Sequence, residues 1–128
     1  MKITFLGQGF ESESKKSVGN TIIQLFKENK FSSFTGISAF ASEAGVVGLS
    51  ECITSGAEFY KTFNLIVGIY QEGTSKKALK EINDLGINSY IFYQKESPIF
   101  HPIIYLFEGE NDTTLIVGSS NLTARGFF

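Results

Sequence analysis

The segment Phe63-Asn64-Leu65-Ile66-Val67-Gly68-Ile69-Tyr70 constrains the fold most, because a nearly unbroken apolar run of this length suits a strand in the interior of a sheet. Runs of this kind are typical of parallel strands buried on both faces, with helices packed over them. The residues that follow agree. Thr74 or Ser75 can cap a helix whose apolar face is Ala78, Leu79, Ile82 and Leu85; Gly86 supplies its stop, and Ile87 to Tyr93 returns as a strand.

The same alternation extends upstream. Met1-Lys2-Ile3-Thr4-Phe5 opens a short strand over residues 2–6, followed by a loop rich in glycine, serine and charge. Val18 to Asn29 carries apolar residues at helical spacing, with Ile22, Ile23 and Phe26 on one side. Phe34 to Ala41 reads as a buried strand, and Ser42 followed by Glu43 caps a helix running to about Phe59.

The last third changes character. Pro102 to Phe107 and Thr113 to Gly118 read as strands, and the polar loop Glu108-Gly109-Glu110-Asn111-Asp112 between them makes a β-hairpin. The expected class is therefore α/β: a mixed, largely parallel sheet flanked by helices on both faces, with a C-terminal hairpin. A chain of 128 residues, 42% hydrophobic with 13 phenylalanines, has enough apolar surface for one core, so 1–128 reads as a single domain.

Composition excludes several function classes. A single cysteine, Cys52, rules out an intramolecular disulfide, and with one histidine no Cys/His zinc site can be assembled within one chain. No metal and no cofactor is expected. A net charge of −2 gives no global attraction to nucleic acid, so any such site is local. No apolar run approaches the roughly 18 residues of a membrane span, and the start lacks a signal peptide's features, which places the chain in the cytoplasm.

The hairpin carries the residues with chemistry. Side chains alternate along a strand, so His101 and Ile103 are expected on one face, with Ser119 and Asn121 sharing a face at the end of the neighbouring strand. Imidazole, hydroxyl and amide together suit phosphoryl transfer: the histidine attacks phosphorus or protonates a leaving oxygen, and neutral donors hold the other oxygens. By pattern alone, a histidine before a proline is more often a strand-end residue, and Gly-Ser-Ser-Asn more often a turn.

Phe100-His101-Pro102-Ile103-Ile104-Tyr105-Leu106-Phe107, followed by Leu115-Ile116-Val117-Gly118-Ser119-Ser120-Asn121-Leu122-Thr123, resembles the histidine-lysine and Gly-Ser-x-Asn strands of the phospholipase D superfamily. Ile66-Val67-Gly68-Ile69 and Gly73-Thr74-Ser75-Lys76-Lys77-Ala78-Leu79 resemble a strand and helix start of its bacterial nuclease-like branch, so the likeness covers roughly residues 63–126. In that branch the domain occurs in type II restriction endonucleases and fused to helicases. The resemblance implies that His101 is the nucleophile forming a phosphohistidine, that Asn121 and Ser119 hold the phosphate with Ser120 as a further donor, and that the chain is a homodimer acting on DNA.

Two departures stand out. The family's lysine position is Ile103, which brings neither charge nor a hydrogen bond; loss of one preorganised donor costs a factor on the order of 100 to 1000 in rate. Glu108 stands at the third motif position, where a solvated loop carboxylate is the simpler reading, and Lys95 or Arg125 are the cations that could substitute for the missing one. The ending Gly126-Phe127-Phe128 reads as a fragment or an abbreviated domain. Two functions remain open: a metal-independent phosphodiesterase, specifically a DNA endonuclease, or a catalytically impaired domain serving DNA binding or dimerisation in a restriction or helicase system.

Overall fold

The computed structural model describes residues 1–6, 17–56, 58–69, 73–93, 95, 101–118 and 121–123. Their order is α1 (Val18–Lys27), β1 (Ser33–Ser38), α2 (Glu43–Gly56), β2 (Thr62–Gly68), α3 (Lys76–Asp84), β3 (Asn88–Phe92), β4 (Ile104–Glu108) and β5 (Thr113–Val117). The strands form one mixed sheet in the order β3-β2-β1-β4-β5. β1, β2 and β3 run parallel, while β4 pairs antiparallel with β1 and with β5. The fold is α/β, and the hairpin read from the sequence is β4–β5, closed by a hydrogen bond from Gly109 N–H to the Asp112 carbonyl at 2.8 Å.

Serines start the three helices of the described residues. The Ser17 hydroxyl accepts from Asn20 N–H, Ser42 from Gly45 N–H and Ser75 from Ala78 N–H, each at 3.1 Å. Each thereby satisfies a backbone donor that the first helical turn leaves open. After α3, Gly86 takes φ 68°, the left-handed conformation in which a chain leaves a helix at least cost when the residue is glycine.

The core lies on one side of the sheet. Alternation puts Phe34 of β1, Leu65 and Val67 of β2, and Tyr105 and Phe107 of β4 on the same face, and these pack with Ile22 and Phe26 of α1, Val46, Leu49 and Ile53 of α2, and Ala78 and Ile82 of α3. Phe26 is its aromatic centre, with ring centroids 5.0 Å from those of Phe34 and Phe107. Truncating any of these rings would cost about 3–5 kcal/mol.

Helices were expected over both faces, and here the structure differs: all three described helices cover the Phe34–Leu65–Phe107 face. On the other face Ile37 and Ile66 are half-buried, and Leu115 and Val117 are 56% and 68% exposed. The apolar run of β2 is thus buried on one side and half-buried on the other. An apolar run shows that a strand is central in its sheet, and β2 is flanked by β1 and β3; it does not show that both faces are covered.

Smaller differences occur at element ends. Residues 1–6 form no strand, for they pair with neither edge of the sheet, and Met1 to Phe5 are exposed. α2 ends at Gly56, whose carbonyl accepts from both Phe59 and Tyr60 N–H, so the chain turns there and brings the Tyr60 ring against Gly56. β1 stops at Ser38, three residues short of the expected Ala41, because the backbone beyond it bonds to side chains and to a distant segment. Among the described residues, no helix is long and apolar enough to cross a membrane.

Candidate functional site

The carboxyl ends of parallel strands are where α/β sheets place their ligands, and the residues just past β1 form an unusually well-bonded corner at that end. The Ser38 side chain, fully buried, donates to the Phe40 carbonyl at 2.6 Å and accepts from Leu122 N–H at 2.9 Å. It is also hydrogen-bonded to the Tyr105 phenol, whose ionisation burial pushes up and that bond partly lowers. One hydroxyl therefore joins β1, β4 and the 121–123 segment.

The backbone donors of Phe40, Ala41 and Ser42 are all committed. Phe40 N–H donates to Asn121 Oδ1 at 3.1 Å, Ala41 N–H to Thr74 Oγ1 at 3.0 Å, and Ser42 N–H to the Leu122 carbonyl at 3.0 Å. Thr74, itself buried, passes its own proton to the Gly68 carbonyl at 2.6 Å, which ties the start of α3 to the ends of β1 and β2. A Cβ on Gly45 would overlap the Leu122 carbonyl, so glycine there lets α2 press directly on the 121–123 backbone.

Asn121 is half-buried and is held from 81 residues away in sequence. A backbone N–H can only donate, so the amide must turn its oxygen to Phe40, and its NH2 group, with two donors, is directed to the other side.

His101 is exposed and precedes β4. Its imidazole stands perpendicular to the Phe40 ring, with centroids 5.8 Å apart. Edge-to-face contact at this separation is attractive and orients both rings. Phe40 thus contacts both His101 and Asn121, which lie on opposite sides of the hairpin in sequence.

Ile103 is 3% exposed and belongs to the core, whereas His101 is exposed. Both precede β4, which begins at Ile104. Asn121 does not continue β5 beside β4. The hairpin is bonded up to Gly118, whose N–H donates to the Ile103 carbonyl at 3.3 Å, and by Leu122 the chain pairs in parallel with Ala41 instead.

Ser119, Ser120 and Arg125 lie outside the described residues, as do residues 96–100 before the histidine. Glu108 is exposed at the end of β4, where its carbonyl accepts from Ser32 N–H, and Lys95 is exposed. Glu108 occupies the sheet end opposite to Asn121, since β4 runs antiparallel to β1 and pairs Glu108 with Ser33. Sequence reasoning missed Ser38, Phe40 and Thr74. A serine inside a strand expected to be buried, followed by Ala-Phe-Ala-Ser, was the available signal.

Chemically, the corner offers an imidazole open to solvent and an oriented amide donor. No family model matches the chain, and no curated protein matches it.

Proposed function

We propose that this chain is a metal-independent phosphodiesterase of the phospholipase D kind, a DNA endonuclease in which His101 attacks phosphorus to form a phosphohistidine while Asn121 holds the non-bridging oxygens. Water then releases the phosphate from the histidine. The observation that carries this reading is the convergence of His101 and Asn121 on Phe40, with no bond from the amide's NH2 group among the described residues. An imidazole nucleophile and a neutral donor are the minimum for in-line displacement at phosphorus. Ser119 and Ser120 supply further donors, and a second copy of the chain supplies the histidine that protonates the leaving oxygen.

A second reading is favoured by Ile103: the side chain where the motif has its cation is buried among apolar neighbours. On this reading the corner binds phosphate groups of DNA without turnover, within a restriction or helicase system.

Single- and double-stranded DNA incubated with the protein in EDTA separates the two. The phosphodiesterase reading expects slow cleavage that is lost in His101→Ala. Binding without cleavage, in the parent and in Ile103→Lys alike, supports the second. Light scattering showing only monomer at micromolar concentration would overturn the shared-site dimer.

A further inference from the structure

The two chemical groups of the candidate site are joined through a residue that has no chemistry of its own. Phe40 is anchored at each backbone atom that can bond: its N–H to Asn121 Oδ1 at 3.1 Å and its carbonyl to Ser38 Oγ at 2.6 Å. Its neighbours Ala41 and Ser42 are bonded to Thr74 and Leu122, so the backbone here cannot shift without breaking several bonds at once.

The ring is held as closely as the backbone. A Cβ on Gly73 would overlap the Phe40 ring, so the residue before Thr74 must be glycine for the ring to occupy its place. Against the ring stands His101, perpendicular and 5.8 Å away. A surface histidine would otherwise sample several rotamers, and a perpendicular aromatic neighbour restricts that freedom.

We propose that Phe40 is the positioning residue of this site: its backbone N–H turns the donor side of Asn121 outward, and its ring, seated on Gly73, aims the His101 imidazole at the same phosphoryl group. Ser38 acts one step behind, holding the Phe40 carbonyl. This inference rests on the phosphate-binding reading above, and it assigns Phe40 a role that acts through His101 and Asn121.

The chain's single histidine makes the test direct, because the imidazole signals in a nuclear magnetic resonance spectrum belong to His101 alone. Inorganic phosphate is titrated into the parent, Phe40→Leu, Phe40→Tyr and Gly73→Ala, at one pH. In the parent, phosphate moves the His101 imidazole signals and the Asn121 side-chain NH2 signals. Phe40→Leu and Gly73→Ala shift the His101 signals before any phosphate is added and weaken phosphate binding about tenfold; Phe40→Tyr, which keeps the ring, binds as the parent does. Ile22→Val, a core truncation in α1, lowers stability and leaves both readouts unchanged, which separates positioning from general loosening.

If the parent binds phosphate but Phe40→Leu and Gly73→Ala bind it equally well with unmoved His101 signals, the positioning role is wrong and the phosphate site stands. A parent whose signals ignore phosphate overturns the site itself, and the inference with it. Should Phe40→Leu not fold, Gly73→Ala keeps every side chain of the corner and decides alone.

Discussion

The backbone N–H of Phe40 donates to Oδ1 of Asn121 at 3.1 Å, a bond that joins those of Leu122 in docking the 121–123 segment and that turns the amide's NH2 side away from the Phe40 backbone. Replacements of Asn121 should therefore separate folding from binding. Asn121→Asp keeps an acceptor for Phe40 N–H but loses the outward donor and adds a negative charge, so phosphate binding is abolished while denaturant stability changes little. Asn121→Ala also strands the Phe40 donor and costs about 1–2 kcal/mol in addition. Urea unfolding beside a phosphate titration checks both.

Ser38→Ala removes the hydroxyl that serves Leu122 N–H, the Phe40 carbonyl and the Tyr105 phenol together. With the side chain fully buried, no water replaces it easily, and the loss is about 2–4 kcal/mol. Amide hydrogen exchange should quicken first at Leu122 and Phe40. Exchange that quickens uniformly over the sheet would show that Ser38 supports the fold as a whole and has no special hold on this corner.

The two faces of the sheet should respond oppositely to substitution. Phe107 is fully buried under the helices and Phe107→Ala should cost about 3–5 kcal/mol, whereas Leu115→Thr and Val117→Thr on the open face should stay within about 0.5 kcal/mol. Thermal unfolding of the three variants measures the contrast. Comparable losses on both faces would mean that the open face is covered in solution.

Tyr60 predicts an alkaline weakness. Its phenol has no hydrogen-bond partner among the described residues, and burial, with Glu28 nearby, pushes its ionisation up to about 12. The unfolded chain gives up that proton near the ordinary tyrosine value of about 10 while the folded one retains it. Above about pH 10 the unfolded state therefore binds fewer protons and stability falls as pH rises towards 12. Tyr60→Phe should be neutral or stabilising by about 1 kcal/mol at pH 7 and should flatten that fall. Urea midpoints at a series of pH values test it.

Much of the fold was readable from residue patterns. β2, α3 with its Ser75 cap, the Gly86 stop and the β4–β5 hairpin follow from periodicity and turn chemistry, which are local properties. Coverage of the second sheet face was not readable, because an apolar run such as Phe63–Tyr70 reports hydrophobicity and not what lies above it. The candidate site was half-visible. His101 and Asn121 stood out through the resemblance of their segments to known motif strands, but Ser38, Phe40 and Thr74 act through bonds to distant segments. Such bonds leave no period and no motif. The different exposure of His101 and Ile103 was not readable either, because alternation is a property of strands and β4 starts at Ile104.

The central claim is phosphodiester chemistry at His101 without a metal. Its most direct test is hydrolysis of bis(p-nitrophenyl) phosphate in EDTA by the parent, His101→Ala and Ile103→Lys, each first shown to fold, since a lysine at the buried position 103 should cost about 1–3 kcal/mol. The expected result is slow hydrolysis by the parent, none by His101→Ala, and a rate about 100- to 1000-fold higher with Ile103→Lys. Hydrolysis that survives His101→Ala, or its absence in both the parent and a folded Ile103→Lys, would contradict the claim.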